Sequence, residues 1–158
     1  REGLEELDYL SCVIKESLRI DNPAHEPFMY SAKEDITICG VPIPKGFIIK
    51  EDIFPAHYNP NYWKEPETFI PERFDPESEF FQQAQKEGKT GGGYSRRSFS
   101  HGTRGCPGQS FALLEIKTAL VVLLTMIDYE VDPALFTRTG VGFGIGSEIV
   151  PSFKITKL

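Results

Sequence analysis

Apolar side chains recur at Leu7, Leu10, Ile14 and Leu18, which share one face of a 3.6-residue period. The spacing predicts an amphipathic helix over residues 4–19. Asn22-Pro23 ends it, because proline disfavours the helical region for the residue before it. Further on, Ile36-Thr37-Ile38-Cys39 and Phe47-Ile48-Ile49 are β-prone, and Gly40 is placed for a turn. Pro42 and Pro44 confine the stretch between them to a sheet edge or a bulge. Residues 52–76 are rich in Pro and aromatics and follow neither period. Residues 77–98 carry Gln82-Gln83, Lys86-Glu87-Gly88-Lys89 and Gly91-Gly92-Gly93, which predict a polar, irregular connection. Residues 108–127 predict a second long helix. Its second half is apolar on all sides and is expected to be buried. That apolar run is shorter than the roughly 20 residues of a membrane span. Residues 128–158 alternate apolar residues with Gly and Pro, and predict short strands.

A length of 158 residues suits one domain, and 40% hydrophobic with 25% charged residues excludes wholesale disorder, collagen and a membrane bundle. Lys+Arg 17 against Asp+Glu 23 leaves a net charge of −6, so no nucleic-acid partner is expected. The three cysteines, Cys12, Cys39 and Cys106, are too few for a disulfide framework, and with no CxxC or His-x-x-x-His pair no structural zinc site is expected. The chain opens on Arg1 with an acidic stretch that lacks the apolar core of a signal peptide. This start is expected of a piece of a longer protein.

The strongest chemical signal is Phe99-Ser100-His101-Gly102-Thr103-Arg104-Gly105-Cys106-Pro107-Gly108. It sets one Cys just before a helix, where unpaired N–H groups and partial positive charge favour a thiolate over a thiol. Gly102, Gly105 and Gly108 allow backbone to approach a flat ligand closely. Arg104 adds a cation, and Phe99 an aromatic wall. Together these suit a metallated macrocycle with acidic arms. His101 leaves a Cys–His nucleophile as an alternative, although nothing else in the chain orients such a base. Gly88-Lys89-Thr90 is similar to the end of a phosphate loop, but the Gly which that loop needs five residues earlier is Gln83.

This stretch resembles the haem loop of the cytochrome P-450 family, Phe-x-x-Gly-x-Arg-x-Cys-x-Gly, at all its fixed positions: Phe99, Gly102, Arg104, Cys106 and Gly108. Glu16-Ser17-Leu18-Arg19 is similar to the family's Glu-x-x-Arg, and Pro71-Glu72-Arg73-Phe74 to its Pro-Glu-Arg-Phe. The run through Ala56, His57, Pro60, Trp63, Pro66 and Phe69 leads up to the latter. The resemblance covers nearly the whole chain. It implies a mainly α fold with small β-sheets (α+β), the C-terminal part of the cytochrome P-450 fold truncated before the last Glu-x-x-Arg helix. Residues 1–158 would then be the haem-binding portion of a single larger domain.

The resemblance also implies roles. Cys106 is expected to be the catalytic residue and the metal ligand. Phe99, Gly102, Arg104, Cys106 and Gly108 are expected to bind haem. Tyr30 stands where the family often places an Arg or His facing a propionate; a phenol there donates one hydrogen bond without charge. Glu16, Arg19 and Arg73 are expected to form a buried structural triad, two guanidinium forks about one carboxylate. The implied activity is a monooxygenase that inserts one oxygen atom of O₂ into a small apolar substrate. Electrons would come from NADPH through cytochrome P-450 reductase or a similar donor. Residues 24–30 and 141–147 are expected near the substrate. Attachment to the cytosolic face of the endoplasmic reticulum membrane, by an anchor outside this chain, is implied as well. Two alternatives stay open: a haem-thiolate isomerase or dehydratase acting on peroxides without a reductase, and a non-catalytic fragment, since the chain alone is expected to be inactive.

From Lys86 to Arg104 the basic residues Lys86, Lys89, Arg96, Arg97 and Arg104 face one acidic residue, Glu87, a local charge of +4. Leading into the Cys106 loop, this stretch is expected to help dock an acidic electron-donor protein, mostly by raising its on-rate.

Overall fold

The computed structural model describes residues 8–24, 29–92, 97–131 and 153–157. Helix α1 spans Asp8–Ile20. A two-stranded antiparallel ladder joins β1 (Met29–Ser31) to β4 (Ile48–Lys50), with Tyr30 opposite Ile49. Between them lies a hairpin of β2 (Ile36–Ile38) and β3 (Val41–Ile43). Cys39 and Gly40 turn it with φ of 48° and 81°, the left-handed pair that a two-residue hairpin loop requires. Pro42 pairs with Thr37 in this two-stranded sheet, where one edge needs no N–H.

Helix α2 (Phe54–Tyr58) opens with proline in its first turn, and Pro71–Phe74 forms a 3-10 turn packed on α1. Helix α3 spans Glu79–Lys86, where a polar irregular connection was expected. Its signals are local and not periodic. Ser78 caps its start by accepting from the Phe81 N–H at 3.1 Å, and Gly88 leaves it at φ 69°. Ala84 is its one buried side chain, and Lys64 holds its far end through Gln83 and Glu87.

Helix α4 (Gln109–Met126) follows the Cys106 loop. Its second half was expected to be buried, yet Val122, Leu123 and Leu124 are about half exposed, because no described residue packs over them. By length and composition alone α4 is apolar enough to cross a membrane. Its C-terminus runs into β5 (Ile127–Val131), which pairs antiparallel with β6 (Phe153–Lys157). The sequence-predicted strands between them and the helical start at residues 4–7 lie outside the described residues.

The deepest part of the molecule is polar. Trp63, Arg73, His57 and Glu16 are the largest fully buried side chains. On α1 the most buried positions include Glu16 and Arg19, while Leu10 and Leu18 are only half-buried.

Candidate functional site

Glu16 and Arg19 lie three residues apart on α1, so their side chains share a face. Arg19 Nε and Nη2 donate to the two carboxylate oxygens of Glu16, both at 2.8 Å. Arg73 Nε donates to Glu16 Oε1 at 3.2 Å, and the Ile70 N–H to the same oxygen at 2.9 Å. The other Arg19 donors reach the carbonyls of His57 (2.8 Å), Pro66 (2.7 Å) and Thr68 (3.3 Å). Arg73 similarly reaches the carbonyls of Lys64, Glu65 and Thr68. A planar five-donor fork can satisfy so many carbonyls at once, and an ammonium cannot. Both guanidiniums also face the Trp63 ring, at 5.4 and 5.6 Å. Burial pushes the Arg73 guanidinium down from its ordinary value; the Glu16 carboxylate opposes this and Arg19 adds to it. The structure thus gathers Glu16, Arg19 and Arg73 into one buried cluster joining α1 to the Pro71–Phe74 turn.

Cys106 shares a cavity with Leu18 of α1. The loop from Phe99 to Cys106 is closed by the Cys106 N–H donating to the Phe99 carbonyl at 2.9 Å. Inside it Gly102 takes φ 64° at the start of a short 3-10 turn, Gly102–Arg104. A Cβ on Gly105 would crowd the Gly102 carbonyl at 3.2 Å, so the loop folds back tightly there. Gly108 is the cap residue before α4, and a Cβ on it would lie 3.8 Å from Cys106 Sγ, which sets the sulfur beside the helix start. Phe99 and Cys106 share a cavity of about 340 Å³ with Leu18, Ala24, Ala112 and Ile116. At its rim Arg97 and Glu51 form an ion pair.

Other expected site residues lie elsewhere. Arg104 is exposed on the 3-10 turn and does not line the cavity. Tyr30 sits in the β1–β4 ladder and does not line it either. Of the expected substrate-side segments, Ala24 lines the cavity, whereas residues 25–28 and 141–147 lie outside the described residues. Arg97, counted in the basic stretch, is drawn into its pair with Glu51, while Lys86 and Arg104 stay exposed. Arg96 lies outside the described residues.

The donor set limits what could be held. Cys12 is buried, and burial raises its thiol, which keeps it protonated and inert. Cys106 is an exposed free thiol facing an apolar wall. Among the described residues no group of three His, Cys, Asp or Glu could hold a metal. A lone soft thiolate donor fits a metal that brings its other donors with it, as a macrocycle does.

Four contacts were not read from sequence. His57 is buried, with Nδ1 3.0 Å from the Arg19 carbonyl and Nε2 accepting from the Arg97 N–H at 3.2 Å. Asn22 Nδ2 donates to the Ser98 carbonyl at 3.0 Å, and Ser98 Oγ to the Leu18 carbonyl at 3.2 Å. Only the run through Ala56 and His57 hinted at any of these.

The fold assigns the class. Across 99% of its length the chain superposes on a cyanobacterial CYP120A1 with retinoic acid bound, at TM-score 0.82 and 26% identity, covering 35% of that chain. This is the mixed architecture of helices and small sheets that the haem-loop motif implied. Residues 2–138 match the family model described as Cytochrome P450, and the chain belongs to that family. It is 38% identical over 137 residues to both cytochrome P450 3A18 of Rattus norvegicus and cytochrome P450 3A25 of Mus musculus. Each alignment takes in 87% of this chain and 25% of the relative, so the chain spans about a quarter of the length of these curated relatives.

Proposed function

We propose that residues 1–158 are the haem-binding portion of a single larger domain, a haem-thiolate monooxygenase in which Cys106 would supply the thiolate that holds the haem iron. The observation that carries this reading is the lone thiol beside the start of α4, facing an apolar cavity wall and held by a loop closed at Phe99. When bound, the haem supplies the oxygen chemistry: insertion of one atom of O₂ into an organic substrate.

The chain's own part is to hold and orient. The N–H groups at the start of α4 stabilise negative charge on the sulfur. Phe99, Ala112 and Ile116 line the cavity with it and give it an apolar wall. Gly102 and Gly108 would let backbone lie close to the macrocycle, and Arg104 and Tyr30, which do not line the Cys106 cavity, would meet its carboxylates outside that cavity. The Glu16, Arg19 and Arg73 cluster fixes α1 and the Pro71–Phe74 turn behind the loop.

The substrate is small and apolar in this reading, which suits the largely apolar retinoic acid bound in the related structure. Electrons come from NADPH through a reductase or similar donor, and exposed Arg104 and Lys86 would attract an acidic partner. Membrane attachment at the cytosolic face of the endoplasmic reticulum belongs to the same reading. The open face of α4 is one that the rest of the domain covers, so the chain alone is expected to be inactive.

The test is the absorption spectrum of the full-length protein, reduced and exposed to carbon monoxide, beside its Cys106→Ser variant. A strongly red-shifted Soret band present in the parent and lost in the variant supports the thiolate ligand. A haem protein without that shift in the parent refutes it. Oxygen uptake that depends on a reductase then separates the monooxygenase from an isomerase or dehydratase.

A further inference from the structure

We propose that His57, in its Nδ1–H tautomer, is a positioning residue that sets the Cys106 loop by holding the backbone N–H of Arg97. The inference rests on the haem-thiolate reading above. A ring nitrogen that accepts a hydrogen bond carries no proton. Nε2 accepts from the Arg97 N–H at 3.2 Å, so the proton of the neutral ring is on Nδ1, which donates to the Arg19 carbonyl at 3.0 Å. The Arg19 guanidinium in turn donates to the His57 carbonyl at 2.8 Å. The ring is thus clamped from α1 on one edge and reads the approach to the loop with the other.

What it holds leads directly to the sulfur. Arg97 O accepts from the Ser100 N–H at 2.9 Å, and Phe99 O accepts from the Cys106 N–H at 2.9 Å. Ser98, between them, is tied to α1 and its following turn through Leu18 and Asn22. Displacing Arg97 shifts the Phe99 carbonyl, and with it the Cys106 backbone. Imidazole presents a donor and an acceptor on opposite edges of one rigid ring. Asn offers its amide N–H at the position of Nδ1, and Gln offers its carbonyl at the position of Nε2, so each substitution keeps one of the two bonds.

Among the described residues the charge that acts on the ring is the Arg19 guanidinium from α1, whose Nη1 also bonds the His57 carbonyl; Arg97 meets the ring through its backbone N–H, its guanidinium pairing with Glu51. Burial disfavours the protonated ring, as does the nearby Arg19 charge, and together they outweigh the bond to the Arg19 carbonyl that favours it, in keeping with an Nε2 that accepts.

The experiment compares His57→Asn and His57→Gln in the full-length holoprotein, as the reduced carbon monoxide complex. The parent must first show the red-shifted band that Cys106→Ser lacks; its absence overturns the haem-thiolate reading itself. Given that band, His57→Gln is expected to keep it as durably as the parent. His57→Asn is expected to lose it to the non-thiolate form roughly tenfold faster, because the Arg97 N–H is left unsatisfied. Equal durability of the two variants, or the reverse order, overturns the positioning role. Should neither variant hold haem, the ring nitrogen-15 shifts of the parent's diamagnetic carbon monoxide complex decide the point. A pyridine-type Nε2 with a pyrrole-type Nδ1 supports the proposal, and a protonated Nε2 overturns it.

Discussion

Trp63 lies against the bare backbone of Gly91: a Cβ added to that glycine would overlap Cη2, Cζ2 and Cζ3 of the indole. Gly91 also takes φ 64°, and its N–H donates to the Tyr62 carbonyl at 2.7 Å. Trp63 is fully buried and donates from Nε1 to the Ala56 carbonyl at 3.0 Å, so the ring has nowhere to go. Gly91→Ala is expected to destabilise the protein by at least about 2 kcal/mol, combining overpacking with a strained backbone. Gly92→Ala is the matched control: nothing lies within 4 Å of its added Cβ, so it should be near neutral. Denaturant midpoints of the full-length protein measure both. Equal midpoints for the two variants would refute the contact.

Arg73 tests the buried cluster. Its Nη atoms bond the Lys64, Glu65 and Thr68 carbonyls while Nε bonds Glu16. Arg73→Lys keeps the charge but cannot cover those carbonyls, and Glu16→Gln leaves two buried guanidiniums without their carboxylate. Each is expected to cost about 3–5 kcal/mol, the scale of breaking a buried ion pair. The yield of soluble haem-loaded protein and its thermal midpoint are the readouts. A lysine variant as stable as the parent would show that charge alone suffices.

His57 makes stability depend on acid. Burial lowers its folded-state pKa, so between the folded and unfolded values the unfolded chain binds more protons. Its contribution is fully present above the unfolded value of about 6.5. It falls as the pH drops below that value, and stops changing once the folded form also titrates. His57→Gln, which has no titrating ring, should flatten this slope in urea titrations run from neutral to mildly acid pH. An unchanged slope would assign the acid sensitivity to other groups.

Ser78 should be worth about 1 kcal/mol as the cap of α3. Its hydroxyl accepts from the Phe81 N–H and donates toward the carbonyls of Glu72 (2.7 Å) and Asp75 (2.9 Å). Ser78→Ala loses both functions and Ser78→Thr keeps them. A difference between these variants in urea midpoint is the expected result, and none is expected in the carbon monoxide spectrum, since α3 does not line the Cys106 cavity.

The residue pattern alone determined whatever depends on neighbours along the chain. The three-residue spacing of Glu16 and Arg19 set them on one helical face, Gly40 marked the turn between β2 and β3, and the glycines around Cys106 led into α4. These features are legible because helix and turn geometry act over three or four residues. The same holds for the haem-loop motif that pointed to the cytochrome P450 family.

Only the tertiary structure decided the rest. Helix α3 carries no long apolar period; its cap, one buried alanine and a lysine fifteen residues upstream of its start give it its place. The even apolarity of α4 announced burial, but exposure depends on what packs over it. Arg73 meets Glu16 across 57 residues, and His57 meets the Arg97 N–H across 40. A buried polar group needs a partner, and the sequence states that need without naming the partner. Folding names it, because it alone brings distant backbone within hydrogen-bond reach.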